Sequence, residues 1–336
     1  MTELWHGTSS LKYPSHAYAG RHRVETLLIA GIDSVAGWNI ANTLSDRYHI
    51  IGLSFITPIQ FNGEKTNLCP TTSETAVTNC VQKSGADWIL YCGPTACSSW
   101  EVDTKKLRQS SLVTDARRWA SAAAAFNCRF TAISSDAIFT APWMFHTESS
   151  LCFCTSNEAQ NILKMEAAIT DACPQAVVVR SHVFGWTPEG LPTQSIDRVI
   201  EKLEAGENFP AVPFASPILA EQLADILVRI EGRGLTGLFH VASAERCSPQ
   251  QFAVRVAREF GLCEPELESI GRMSARPSGF GAGESSLQCN KLRKLLGIGF
   301  PLVSDGIRQL AIQQEKMSVL YPGFTSGTVF SQTKAA

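Results

Sequence analysis

The 336-residue sequence predicts an α/β fold: a doubly wound parallel sheet with a smaller C-terminal α/β region. Three observations predict it. Between residues 24 and 185, short continuous apolar runs of the buried-strand type alternate with segments of helical period. A glycine-bounded loop joins the first apolar run to the first helix, as in a Rossmann-type sheet. Beyond residue 185 the texture changes, because Pro188, Pro192, Pro210, Pro213 and Pro217 break the chain into loops around single helices.

In chain order, residues 1–23 are polar, without a clear period, and read as an extension. Leu27 to Ala30 form the first strand, and Ala36, Ile40 and Leu44 recur every four residues as the buried stripe of the first helix. The loop Gly31-Ile-Asp33-Ser34-Val35-Ala-Gly37 fits G-x-x-G-x-x-G with its middle glycine replaced by Ser34. Peptide N–H groups at such a helix start favour a bound anion, although a Cβ at Ser34 stands where backbone usually approaches pyrophosphate. A tight turn of purely structural purpose would read the same way.

His49 to Phe55 is a second strand, whose end usually carries the acid that holds the adenosine ribose of NAD. Here it ends in Ser54 and Phe55, with no acid and no arginine, and the balance favours NADP over NAD. A helix over 74–83 and a strand over 86–93 follow, the latter containing Tyr91 and ending at Gly93. A long helix over 105–126 carries the small packing residues Ala122 to Ala125. The next strand starts at Cys128 and closes on Ser135 and Asp136, and Ala176 to Arg180 is a further strand. Helices are expected over 197–205, 220–231, 249–260 with Ser248 as N-cap, and from 304 to about 316, with a strand at 237–243 and a polar tail beyond 318. The change of texture therefore divides the chain into 24–185, a dinucleotide-type sheet region, and a second region over 186–317.

Composition narrows the function classes. At 44% apolar, 18% charged and a net charge of −2, the chain offers no electrostatic case for nucleic acid or an anionic membrane. It has no membrane-length apolar run and no basic-then-apolar leader pattern, so a soluble cytoplasmic protein is expected. Eleven cysteines without C-x-x-C spacing read as free thiols in a reducing compartment, and no metal site is expected.

Five stretches in order carry a resemblance: the Gly31 loop, Ile133-Ser-Ser-Asp-Ala-Ile-Phe, Asn161-Ile-Leu-Lys-Met-Glu, Arg180-Ser-His-Val-Phe-Gly and Ser216-Pro-Ile-Leu-Ala-Glu-Gln-Leu-Ala-Asp. The later Gly237-Leu-Phe-His-Val-Ala, Cys247-Ser-Pro-Gln-Gln-Phe-Ala and Ser286-Leu-Gln-Cys-Asn-Lys-Leu extend it to roughly residues 24–315. Together they resemble the extended short-chain dehydrogenase/reductases, and within them the dTDP-4-dehydrorhamnose reductase family. That resemblance implies NADP or NAD as cofactor, a nucleotide sugar as small-molecule partner, and hydride transfer at its keto carbon. It assigns Gly31, Asp33, Ser34, Val35, Gly37, Ser54, Gly93 and Lys164 to the cofactor. Ser135 would hydrogen-bond the carbonyl, while Asp136, Arg180 and Arg276 would meet substrate.

The same resemblance exposes departures. The family's acid is a tyrosine four residues before the lysine, one helical turn away, and here Gln160 stands there. Glutamine donates a hydrogen bond but gives up no proton, and no tyrosine occurs between Tyr91 and Tyr321. Residues 105–126 also lack the asparagine of the family's proton relay. His146, Glu148 and His182 are the substitutes in reach, each also readable as a loop or core residue. Arg180 could equally meet a buried carboxylate, and Trp186, Arg276 and Phe280 could grip a base or diphosphate. Three readings stand: a nucleotide-sugar-binding protein without standard chemistry, compatible with a homodimer or a regulatory protein partner; a reductase or epimerase with a substitute acid such as His146; and a partner-binding protein with a vestigial pocket.

Overall fold

Strand β1 (Thr26–Ala30) is buried at every position, because it lies inside a sheet covered on both faces. The computed structural model describes residues 23–70, 73–101, 104–108, 111–140, 143–152, 154–269 and 279–320. After β1 come α1 (Val35–Leu44), β2 (His49–Ser54), the hairpin β3 (Gln60–Phe61) and β4 (Glu64–Lys65), β5 (Asn67–Leu68) and α2 (Glu74–Ser84). Then β6 (Trp88–Tyr91), α3 (Thr104–Leu107), α4 (Ser111–Ala125), β7 (Arg129–Ser135), α5 (Asn157–Ala172) and β8 (Val177–Ser181) complete the first half. The second half holds β9 (Val183–Phe184), α6 (Ser195–Glu204), β10 (Ile218–Leu219), α7 (Ala220–Gly232), β11 (Gly237–His240), α8 (Pro249–Phe260), α9 (Asn290–Leu296) and α10 (Val303–Leu320).

Seven parallel strands run in the order β11-β8-β7-β6-β1-β2-β5. Connections leave β1 in one direction towards β2 and β5, and return to β6 on its other side, so the order reverses between β1 and β6. Ligands of open parallel sheets bind in the crevice at such a reversal, outside the strands' carboxyl ends. The pleat divides the core: Leu27 and Ile29 join the cluster under α1 and α7, whereas Leu28 and Ala30 join the cluster under α2, α4 and α5. Of the expected packing run Ala122 to Ala125, Ala122 and Ala123 sit in that second cluster with Ala120, while Ala124 and Ala125 at the end of α4 are exposed.

The helix expected over 105–126 is two helices. Asn161 of α5 donates its side-chain amide to the Leu107 carbonyl at 3.0 Å, and Arg108 pairs with Glu158 at 2.5 Å, which closes α3 before α4 begins. Tertiary partners thus override a continuous helical pattern. Likewise the expected strand from Cys128 becomes strand only to Ser135, after which Asp136–Ile138 turn as one 3-10 turn. Apart from Arg23 and the end of α10, the expected extension and tail lie outside the described residues. No helix among the described residues is long and apolar enough to cross a membrane.

Candidate functional site

The turn after β1 is built by close approach. Gly31 has φ +96°, and a Cβ there would lie 2.0 Å from the Cys92 carbonyl oxygen; a Cβ at Gly37 would lie 2.2 Å from the Gly31 oxygen. Both glycines therefore pack loop, strand end and helix together. Ser34 sits in extended backbone as the N-cap of α1: its Oγ accepts from Gly37 N at 2.9 Å and donates to Gly31 O at 2.8 Å. The replacement of the middle glycine thus supplies a cap. Val35 and Ala36, 5% and 0% exposed, follow it, and their N–H groups have no acceptor among the described residues. A pyrophosphate at this helix start would satisfy both, so these residues fit the dinucleotide that the fold implies.

Asp33 turns away from that helix start. Its Oδ1 accepts from Phe55 N at 2.8 Å, and its Oδ2 accepts from Ile56 N at 2.8 Å and Thr57 N at 3.1 Å. Ser54 is fully buried, with Oγ 2.7 Å from Thr66 Oγ1, so its hydroxyl is engaged within the fold. Gly93 lies over the ring of Tyr91 at the end of β6, where a Cβ would clash with that ring. Tyr91 is 1% exposed, and burial pushes its hydroxyl far above the usual phenol range, which removes it as a proton donor.

At the ends of β7 and β8 the register Ser135↔Ser181 brings Asp136 and His182 side by side. Asp136 Oδ2 accepts from Ser285 Oγ at 2.8 Å and lies 3.1 Å from His182 Nδ1. The other face of the imidazole meets the loop after β6: Nε2 is 2.7 Å from Ser98 Oγ, and Ser99 Oγ is 2.9 Å from Nδ1. Ser98 Oγ also accepts from Trp100 N at 3.2 Å, so its own proton is available for Nε2, which places the ring proton on Nδ1 facing Asp136. Asp136 Oδ1 is buried without a partner among the described residues. Ser135 Oγ accepts from Ala137 N at 3.2 Å and is held at the strand end.

His182 and Ser98 form part of the wall of a cavity of about 220 Å³. Trp100, Phe184, Phe209 and Phe252 supply aromatic surface, and Arg198, Lys202 and Glu101 supply charge. At that volume it accepts one ring system, a base or a hexose, and a whole nucleotide sugar would extend beyond it. Arg198 and Lys202 stand one turn apart on α6; Lys202 pairs with Glu207 at 3.4 Å, and both cations act on the Glu101 carboxyl across the cavity. Glu101 accepts from Ser195 N at 2.7 Å, and burial raises its carboxyl above the usual range. Ser98, Ser99, Arg198, Lys202 and Ser285 were not named by sequence reasoning; only the strongly one-sided α6, with Arg198 and Lys202 four residues apart, carried a readable signal.

Other expected residues stand elsewhere. His146 is 3% exposed, stacked on Phe139 at 4.2 Å and 4°, with Nε2 3.1 Å from Glu284 O, and burial lowers its affinity for a second proton. This is a core histidine's setting. Glu148 accepts from His240 N at 3.0 Å. Gln160 is exposed and donates to Cys154 O at 3.2 Å; Lys164 is exposed with no hydrogen bond among the described residues. Glu166 of α5 reaches the strand ends, where it accepts from Ser134 Oγ at 2.6 Å and from Arg180 at 2.6–3.2 Å. Arg180 therefore meets a buried carboxylate rather than a position open to substrate phosphate. Trp186 is buried, its Nε1 donating to Gln313 at 2.9 Å, and Phe280 packs against the core. Arg276 lies outside the described residues.

A family model described as the RmlD substrate binding domain matches residues 25–315. The chain belongs to that family. Among solved structures, its fold matches the dTDP-4-dehydrorhamnose reductase of Bacillus anthracis in complex with NADP at 18% identity and TM-score 0.71, covering 87% of this chain and 100% of the other. A hypothetical dTDP-4-dehydrorhamnose reductase from Sulfolobus tokodaii matches at 21% identity and TM-score 0.67, over 84% and 98% of the two chains. The Bordetella bronchiseptica enzyme WbmH in complex with NAD+ matches at 17% and 0.64, over 84% and 96%. No curated protein matches by sequence. Within the RmlD family frame, the His182 cavity lies on the carboxyl side of the sheet, where ligands of open parallel sheets bind.

Proposed function

We propose that this family member binds a nucleotide sugar in the cavity beside His182, next to a nicotinamide dinucleotide at the Gly31 loop, without tyrosine-dependent reductase chemistry. The cavity carries the reading, because aromatic rings suit a base or a sugar face and Arg198 with Lys202 suits a diphosphate. Val35 and Ala36 N–H groups would take the dinucleotide's pyrophosphate. A bound nicotinamide supplies or accepts hydride; Gln160 can orient a group by hydrogen bonding but supplies no proton. The reading fits a cytoplasmic binding or regulatory subunit, alone, as a homodimer or beside a catalytic partner. Thermal shift with dTDP- and UDP-sugars and with NADH and NADPH tests it: a ligand at 100 times its dissociation constant adds about 2.7 kcal/mol of stability. A melting point unmoved by every nucleotide would leave the pocket vestigial.

The His182–Asp136 pair supports a second reading, an active reductase or epimerase of a 4-keto nucleotide sugar. In it the imidazolium form of His182, its Nδ1–H held by Asp136, would release its Nε2 proton to Ser98 Oγ, whose own proton passes to the carbonyl oxygen in place of the family's tyrosine proton, leaving His182 neutral. NADH or NADPH oxidation by 4-keto nucleotide sugars would then drop about 10²–10⁴-fold in His182→Gln with sugar-nucleotide affinity kept. No turnover in the wild type with ligands bound would leave the first reading alone standing.

A further inference from the structure

We propose that Asp33 selects the cofactor: its carboxylate occupies the adenosine-ribose end of the dinucleotide site, accepts NAD(H) and disfavours NADP(H). This rests on the proposed dinucleotide site, and deepens it. In a doubly wound sheet the ribose next to adenine lies at the carboxyl end of the second strand, where an acid takes the free hydroxyls and a cation takes a 2′-phosphate. Strand β2 ends at Ser54, whose hydroxyl is buried against Thr66. The acid absent from the strand reaches the same place from the loop, through Asp33.

The three peptide N–H groups that follow β2, those of Phe55, Ile56 and Thr57, all point at the Asp33 carboxylate, at 2.8, 2.8 and 3.1 Å. Such a run of backbone donors could bind a phosphate dianion, but here it is already filled by an anion of the chain itself. A 2′-phosphate would have to displace that carboxylate or sit beside it, like charge against like charge. A ribose hydroxyl, by contrast, can donate to a carboxylate oxygen, which has more lone pairs than the three donors use. Asp33 is only partly buried, so the oxygens remain within reach, and Ile56, 62% exposed, offers apolar surface beside it for adenine. The hairpin that follows carries Glu64 next to Lys65, both exposed, so its one cation comes with an acid. The preference for NADP drawn from the bare strand end is thereby reversed.

Dissociation constants of NADH and NADPH, read by fluorescence titration of the wild type and of Asp33→Asn, test this. NADH should bind at least about tenfold more tightly than NADPH to the wild type, and Asp33→Asn should close most of that gap by tightening NADPH. Should the variant fail to fold, calorimetry of the wild type with ADP and with 2′,5′-ADP gives the same answer, ADP binding more tightly. NADPH binding as tightly as NADH, a ratio unchanged in folded Asp33→Asn, or 2′,5′-ADP binding as well as ADP would overturn the assignment while leaving the dinucleotide site in place. Binding of neither dinucleotide would overturn the site as well.

Discussion

Asp136 takes two hydrogen bonds on one oxygen, while its other oxygen, equally buried, has none among the described residues. A carboxylate kept so incompletely paired inside a fold orients something, and here the oriented group is His182. The Arg180–Glu166 pair is the contrasting case, a bidentate bridge between side chains 5% and 8% exposed that serves the sheet. Arg180→Met should destabilise by about 3–5 kcal/mol in urea unfolding, because it strands the Glu166 charge, and Glu166→Leu added to it should recover most of that loss. Little loss in the single variant would mean that Glu166 is neutral or solvated without its partner. Both roles stood among the sequence's alternatives, but the partners could not be read, since His182 finds Asp136 across 46 residues, Ser98 across 84, and Asp136 finds Ser285 across 149. The residues Ser135, Asp136 and Arg180 stood out by motif; their partners had no local signal.

Helix starts carry the next predictions. Ser34 caps α1, so Ser34→Ala should cost about 0.5–2 kcal/mol while Ser34→Gly, which restores the glycine pattern, should cost only a few tenths. Equal losses in thermal melts would show that the cap bond contributes nothing. At α6, burial raises the Asp197 carboxyl to about 6, partly offset by its bond from Thr187 N at 2.6 Å. The folded protein therefore holds this proton more tightly than the unfolded chain, so the associated stability is complete below 3.8 and is lost as pH rises through about 6. Asp197→Asn should accordingly be more stable than wild type at pH 7, by on the order of 1–3 kcal/mol, and should lose that advantage at pH 4. An advantage independent of pH would contradict the assignment. The longer strands and helices followed from periodicity; the short β3, β4, β5, β9, β10 and α9 carry too few residues to show a period, and α3 and α4 were separated by Asn161 and Glu158, side chains distant in sequence.

Over the whole molecule, one parallel sheet carries the two proposed sites on its carboxyl side, the Gly31 loop at the reversal of strand order and the cavity by β8. Sheet and loop were legible because strand runs and glycine spacing are local; the cavity was not, because it assembles from the loop after β6, the end of β8, α6 and the start of α8. Gln160 and Lys164, which the resemblance places at the reacting centre, are exposed on α5 and share no hydrogen bond with Ser135 among the described residues. The proposed function therefore turns on the His182 cavity. Isothermal titration of dTDP- and UDP-sugars against wild type and Arg198→Ala measures that claim most directly. Binding by the wild type, weakened about tenfold or more in a variant of unchanged melting temperature, is the expected result. No binding heat with any nucleotide sugar, or equal affinity in both proteins, would contradict it.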